Sequence, residues 1–266
     1  MLQLLQQIIL VFATALGAMT DTKTGYIYDW ITLPMISLGF ILSIMLQQWN
    51  NIILGGILFV GLFIIYKFGK IGGGDVKLFV GISLLNPTND YLFVVSIMFF
   101  AAMSAMMFYS IFYLIKYLRK GINFEENKKG IIKALIFGLI IVGYFYFLVI
   151  KELINPISAE IMVVPILFGL IMVALQDGIK KNFFETKINL NQIEEDEVLA
   201  EGRNSLEVVK LLKGKSLIGE TEKKLLEKNA IKSIYVLRGL PPFGPFILVG
   251  VIGAILLPDF LFFIFL

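Results

Sequence analysis

Two aspartates are the residues of this sequence whose type and position could support catalysis. Asp21 closes the first apolar stretch of the chain, and Asp75 opens a short apolar stretch directly after three glycines. Two carboxylates a few ångströms apart share one proton, because like charges at that distance cannot both ionise cheaply. The ionised member can take a proton from water while the protonated member polarises a carbonyl group. Such a pair can hydrolyse a peptide bond without histidine, cysteine or a metal ion.

The composition excludes most other catalytic chemistry. The 266 residues include no Cys and no His. This excludes disulfides, thiolate zinc sites, iron–sulfur clusters, and nucleophiles activated by histidine. Asp, Glu, Lys and Tyr remain for acid–base chemistry. We therefore expect no metal site and no cofactor, and no nucleic-acid partner.

The residues before Asp75 should keep its surroundings open. The run Gly72–Gly74 is a poor helix former, and irregular backbone is tolerated at membrane depth where it lines protein or a water-filled cavity. Because glycine has no side chain, water and an extended peptide could approach Asp75 closely. A flexible loop capped by Asp75 is the alternative, and Asp21 taken alone could be an ordinary interfacial residue.

The elements that must position these aspartates are those of a membrane protein. Hydrophobic residues make up 58% of the chain and charged residues 16%, with a mean hydropathy of +0.86. A soluble domain has about 45–50% apolar and about 25% charged residues. Crossing the membrane takes roughly 20 apolar residues. Seven stretches have or approach this length: Leu2–Thr20, Trp30–Trp49, Ile52–Phe68, Tyr91–Leu118, Ile131–Ile150, Ala159–Gln176 and Phe243–Phe265.

The charges indicate that an eighth, shorter stretch also crosses. Val76–Leu85 would form only about 15 Å of helix. If it crosses and the N-terminus is outside, every Lys and Arg except Lys151 lies in an inside loop or near the inside end of a span. This is the bias that membrane proteins show. We therefore predict an all-α polytopic protein of about eight membrane helices in the plasma membrane. The short helix would either thin the membrane locally or enter from a recessed, protein-lined position.

Residues 177–242 are predicted to form a small cytoplasmic α+β insert, because they contain 12 Lys and Arg and 11 Asp and Glu. Alternation in Lys187–Ile193 and Ser233–Leu237 predicts strands. Ser205–Lys213 and Thr221–Lys228 are predicted helices, capped by their first residues. A partly ordered loop is the alternative. The predicted domains are residues 1–176 with the catalytic aspartates, residues 177–242 as the insert, and residues 243–266 as the last membrane helix.

The sequence around the two aspartates resembles a known family. Gly72-x-Gly74-Asp75 followed by Lys77 is similar to the signature of the GxGD membrane aspartyl proteases, and among them of the type IV prepilin and preflagellin peptidases. In that family the first catalytic Asp closes the first span, and a basic residue, an aliphatic residue and a helix start follow. Asp21–Asp29 fits this layout, with Lys23 as the basic residue.

The last span also contributes to the resemblance. Leu240–Phe246 is similar to the segment that opens the last span in such peptidases. The resemblance thus covers residues 1–118 and 238–266, while residues 119–237 agree only in general layout.

The resemblance implies both a reaction and a set of site residues. Asp21 and Asp75 would be the catalytic pair, and the motif residues around them would shape the approach of the substrate: Gly72, Gly74, Lys77 and Lys23. The reaction would remove a short basic leader from prepilin-like or preflagellin (archaellin) precursors at the cytoplasmic face. The partners would then be these precursors and membrane lipids.

Two further features indicate which branch of this peptidase family the chain resembles and how it could attract its substrate. Larger bacterial members have a cysteine tetrad and also methylate the new N-terminus. A chain without Cys points to the archaeal-type or short-form branch, in which we expect no methylation. The acidic run Glu194–Glu197 could attract a basic leader, and a solvated surface run is the alternative.

Two other functions use the same residues. Presenilin-like intramembrane proteases have their first Asp after a Tyr on a later span, whereas Asp21 follows Thr20 on the first span. An ion-coupled secondary transporter could use Asp21 and Asp75 beside a broken helix. Such a transporter would usually show inverted repeats and charges in mid-membrane, and the sequence has neither. A non-enzymatic scaffold would leave the glycine run unexplained.

Overall fold

The computed structural model describes residues 2–193, 197–200, 202–213, 215–229, 231–258 and 260. Most of this part of the chain is helical. The helices are α1 Leu2–Thr24, α2 Asp29–Met45, α3 Trp49–Lys67, α4 Gly73–Leu84, α5 Tyr91–Lys120, α6 Phe124–Ile150, α7 Pro156–Ile179, α8 Leu206–Leu211, α9 Glu220–Lys228 and α10 Gly244–Leu256.

The long helices make this a polytopic membrane protein, as predicted. Within the described residues, five helices are long and apolar enough to cross a membrane: α1, α3, α5, α6, and α7 together with the turn that follows it. Helices α2 and α10 are apolar but shorter, and α4 has 12 residues. Each predicted span overlaps one helix, but α10 ends at Leu256 rather than at the predicted Phe265, because the helix is capped at Leu257. Residues 259 and 261–266 of that predicted span lie outside the described part. That α2, α4 and α10 also cross remains a prediction.

The short helix α4 lies at the centre of the bundle. It packs mainly against α2 and α3 and also contacts α1 and α5. Its residues Val76 and Leu78–Leu84 are buried. A helix of this length spans only about 18 Å, so protein must enclose it where it does not reach the membrane surface. Of the two alternatives left open for this segment, local thinning of the membrane and a recessed, protein-lined position, the burial agrees with the second.

Buried polar side chains satisfy the backbone at the C-terminal end of α4. The Ser43 hydroxyl donates to the Leu84 carbonyl oxygen over 2.7 Å, and the Asn51 amide donates to the Asn86 carbonyl oxygen over 2.8 Å. The last carbonyl groups of a helix have no partner within it. These side chains therefore provide partners for carbonyl groups at and just after the buried end of α4.

The insert is a small α+β unit. Helix α7 is followed by a π-helical turn, Lys180–Phe184, and then by an antiparallel sheet of order β1-β4-β2-β3. Its strands are β1 Glu185–Asn189, β2 Glu197–Leu199, β3 Leu217–Ile218 and β4 Ser233–Leu237. Helices α8 and α9 complete the unit, whose core contains Ile218, Leu226 and Val236.

Two local predictions within the insert need correction. The predicted strand Lys187–Ile193 ends at Asn189, because Asn189 and Gln192 form a capping box that opens a 3₁₀ turn. Helix α9 begins after Gly219 rather than after Thr221, because the Glu222 carboxylate accepts a hydrogen bond from the Gly219 amide. Ser205 caps α8 as predicted, with its hydroxyl accepting from the Val208 amide.

Candidate active site

Asp21 is positioned by the last turn of α1 and the start of α10. Helix α1 continues four residues beyond the predicted Thr20, so Asp21 lies within the helix and is only 7% exposed. The Gly244 amide, at the first position of α10, donates to Asp21 Oδ2 over 2.7 Å. A hydrogen bond from a backbone N–H to a carboxylate at a helix N-terminus is favourable for both charge and geometry.

Gly244 has to be glycine for α10 to come this close. A Cβ atom at this position would lie 3.0 Å from Asp21 Oδ2 and 3.2 Å from Ala18 Cα. Both distances are shorter than an ordinary carbon contact. The segment Leu240–Phe246 was noted in the sequence only by resemblance, and the hydrogen bond to Asp21 was not foreseen.

Asp75 lies in the first turn of α4 and is half-buried. Its carboxylate lies close to the backbone of Gly72, since a Cβ atom at Gly72 would lie 3.0 Å from Asp75 Oδ2. Gly72 has the extended conformation that precedes a helix, with φ −72° and ψ 144°. The N-terminus of α4 thus favours the carboxylate of Asp75.

The structure brings the two aspartates to one region of the bundle. Phe79 lies one turn after Asp75, and its ring packs against that of Phe243 with 6.3 Å between centroids. Phe243 directly precedes Gly244, which binds Asp21. The two carboxylates are close enough for their charges to interact. A pair of acids in this arrangement could share a proton.

The three glycines before Asp75 have different surroundings. Gly72 is exposed, and a Cβ atom there would meet only the Asp75 carboxylate. A Cβ atom at Gly73 would lie 3.4 Å from the Tyr66 ring. At Gly74 it would lie 2.8 Å from the Ile27 carbonyl oxygen. Gly72 therefore leaves the approach to Asp75 open, whereas Gly74 allows α4 to pack against the segment after α1.

Replacing Gly74 by Ala should destabilise the protein by about 1–3 kcal/mol, because the new methyl group overlaps backbone that cannot move aside. Gly61→Ala is the matched control, since nothing lies within 4 Å of a Cβ atom at that position of α3. Thermal unfolding in detergent should show a lower midpoint for the Gly74 variant only. Equal midpoints for both variants would contradict the close packing at Gly74.

The two lysines of the motif differ in what they contact. Lys77 Nζ lies 2.5 Å from Asp29 Oδ1, so the ion pair joins α4 to the first residue of α2. Lys23 is exposed in the last turn of α1. Asp29 was noted in the sequence as a helix start, but not as the partner of Lys77. Lys77 thus connects the helix that contains Asp75 to the start of α2.

Residues 194–196 of the acidic run lie outside the described residues, and the fourth, Glu197, forms an ion pair with Arg238. Among the residues that the structure describes, no group of three or more Asp and Glu could hold a metal ion.

Together these features define a polytopic membrane protein with two neighbouring aspartates at the junction of α1, α4 and α10. Residues 8–117 match the model of the type IV leader peptidase family. The match contains both aspartates and indicates a protease similar to the type IV leader peptidases. No curated protein and no solved structure matches the chain.

Proposed function

We propose that this protein is a membrane aspartic endopeptidase that removes the leader from type IV prepilin-like or preflagellin (archaellin) precursors. The observation that carries the proposal is the convergence of Asp21 and Asp75 within the segment similar to the type IV leader peptidases. The contacts through Gly244 and between Phe79 and Phe243 support it.

The proposed reaction uses the pair of aspartates as acid and base. The ionised carboxylate takes a proton from a water molecule, whose oxygen attacks the scissile carbonyl carbon. The protonated carboxyl group donates to the carbonyl oxygen, which becomes the hydroxyl of a tetrahedral intermediate. Collapse of the intermediate breaks the C–N bond, and the leaving amine takes the proton that came from water. One hydroxyl group of the intermediate gives its proton to the ionised carboxylate as it becomes the new carbonyl group, which restores the starting state of the pair. The exposed Gly72 leaves room for an extended peptide beside Asp75.

We also propose that the aspartates and the insert face the cytoplasm, and a labelling experiment tests this. Cysteines would be placed in the Cys-free chain at Lys128, Asn191 and Glu152, which are all exposed. We expect an impermeant thiol reagent to label intact cells only at position 152. All three should be labelled after the cells are lysed. Labelling of position 128 or 191 from outside would contradict the proposed topology.

The function itself is tested by incubating the purified protein with a panel of prepilin-like and preflagellin precursors. We expect a leader-sized loss of mass from at least one precursor, a cut just before its hydrophobic segment, and no added methyl group. Intact-mass measurement of both products distinguishes these results. A folded protein that cleaves no member of the panel would contradict the proposed function.

A further inference from the structure

Tyr109 of α5 contacts the chain on both sides of Gly244. Its hydroxyl donates a hydrogen bond of 2.5 Å to the Pro242 carbonyl oxygen. Its ring packs edge-on against Phe246, with 5.0 Å between centroids. Gly244 lies midway between these two residues, and its amide binds Asp21. One tyrosine side chain thus fixes the residues that flank the donor to Asp21.

The intervening segment is stiff enough to pass this constraint on. The sequence Pro241-Pro242-Phe243-Gly244-Pro245 contains three prolines, each of which fixes φ near −65°. Phe243, the one residue between the Pro242 carbonyl group and the Gly244 amide, is held by its ring contact with Phe79 and by its carbonyl oxygen, which accepts from the Phe246 and Ile247 amides. A displacement of the Pro242 carbonyl group is therefore passed on to the Gly244 amide. Without the Tyr109 hydroxyl, the half-buried Pro242 carbonyl oxygen loses this partner, which costs free energy.

We propose that Tyr109 is a positioning residue for the Asp21 carboxylate, acting through Pro242 and Gly244. We call the series of contacts from Tyr109 through Pro242 to the Gly244 amide the mechanical link. Its effect on catalysis rests on the proposed function, whereas the link itself does not. Within the described residues no hydrogen bond joins Tyr109 to Asp21, so we do not assign Tyr109 a chemical step. Its contribution is to hold the Gly244 N–H in line with Asp21 Oδ2.

Tyr109→Phe tests this link because it removes only the hydroxyl group and keeps the ring against Phe246. Tyr113→Phe is the matched control. Tyr113 lies one turn further along α5 and is buried, and its hydroxyl has no hydrogen bond within the described part of the chain. Amide hydrogen exchange of the peptide containing Gly244 measures the link directly, and precursor cleavage measures its consequence.

For Tyr109→Phe we expect exchange in the peptide containing Gly244 to be about tenfold faster and kcat to be about tenfold lower, which corresponds to the loss of one hydrogen bond. KM should change less than twofold, because binding of the precursor is not altered. Tyr113→Phe should change neither exchange nor kcat.

The possible outcomes separate the two proposals. Unchanged exchange in Tyr109→Phe would overturn the mechanical link. Faster exchange with unchanged kcat would overturn the positioning role, as would an equal loss of kcat in Tyr113→Phe. Faster exchange in a protein whose wild type cleaves no precursor would support the link and contradict only the proposed peptidase function.

Discussion

The Asp75→Asn protein is expected to insert and fold as the wild type does and to lose at least about a thousandfold in precursor cleavage. An amide cannot take a proton from water or hold the shared proton of the pair, so the acid–base cycle stops. Asn has nearly the same size as Asp, and it removes a charge that interacts with that of Asp21. The fold should therefore tolerate the change. Cleavage rates and thermal unfolding of the same preparation measure the two properties separately.

Asp90→Asn is the matched control for this prediction. Asp90 caps α5, where its side chain accepts a hydrogen bond of 2.9 Å from the Leu92 amide. Asn serves equally well as an N-cap, so this variant should cleave at the wild-type rate. A folded Asp75→Asn protein that keeps near-normal cleavage would remove Asp75 from the catalytic assignment.

The membrane helices could be predicted from the sequence because burial in lipid requires long apolar stretches. The short α4 is the instructive case. Its length argues against a membrane segment, and only the distribution of Lys and Arg indicated that it should be kept. The structure places it among α2 and α3, where the close approach of Gly81 to Met35 and of Gly39 to Leu84 fills the space around it. Such packing leaves no signal in a single sequence.

Of the candidate site, the sequence allowed only the two acidic residues to be predicted, not their partners. Asp21 and Asp75 were found from their positions relative to the apolar stretches and the glycines. Their partners come from distant parts of the chain: Gly244 is 223 residues from Asp21, and Asp29 is 48 residues from Lys77. Pairs at such separations are decided by helix packing. In the insert, hydrogen bonds between side chains and nearby backbone decide where elements end and begin. Because of them, β1 ends before the predicted Ile193 and α9 begins before the predicted start.

Asp21 and Asp75 are expected to act as a unit, and a double-mutant cycle with Asp21→Asn, Asp75→Asn and their combination tests this. If the two share one proton, either single change should cost about a thousandfold or more in cleavage and the combination little more. Independent roles would give costs that add as free energies, so the double variant would be slower by the product of the two factors. Asn at position 21 can still accept the hydrogen bond from Gly244, so this variant removes the acid while keeping its anchor.

The dependence of cleavage on pH gives a second test of the same pair. The wild type should show two ionisations in its rate, with apparent pKa values that belong to the pair rather than to either residue. Each single variant should lose this two-step profile in whatever residual activity remains. An Asp21→Asn protein that keeps most of its rate would rule out the pair. The second acid would then be sought at Asp29, whose ion pair with Lys77 already places it beside α4, or at Asp177 near the end of α7.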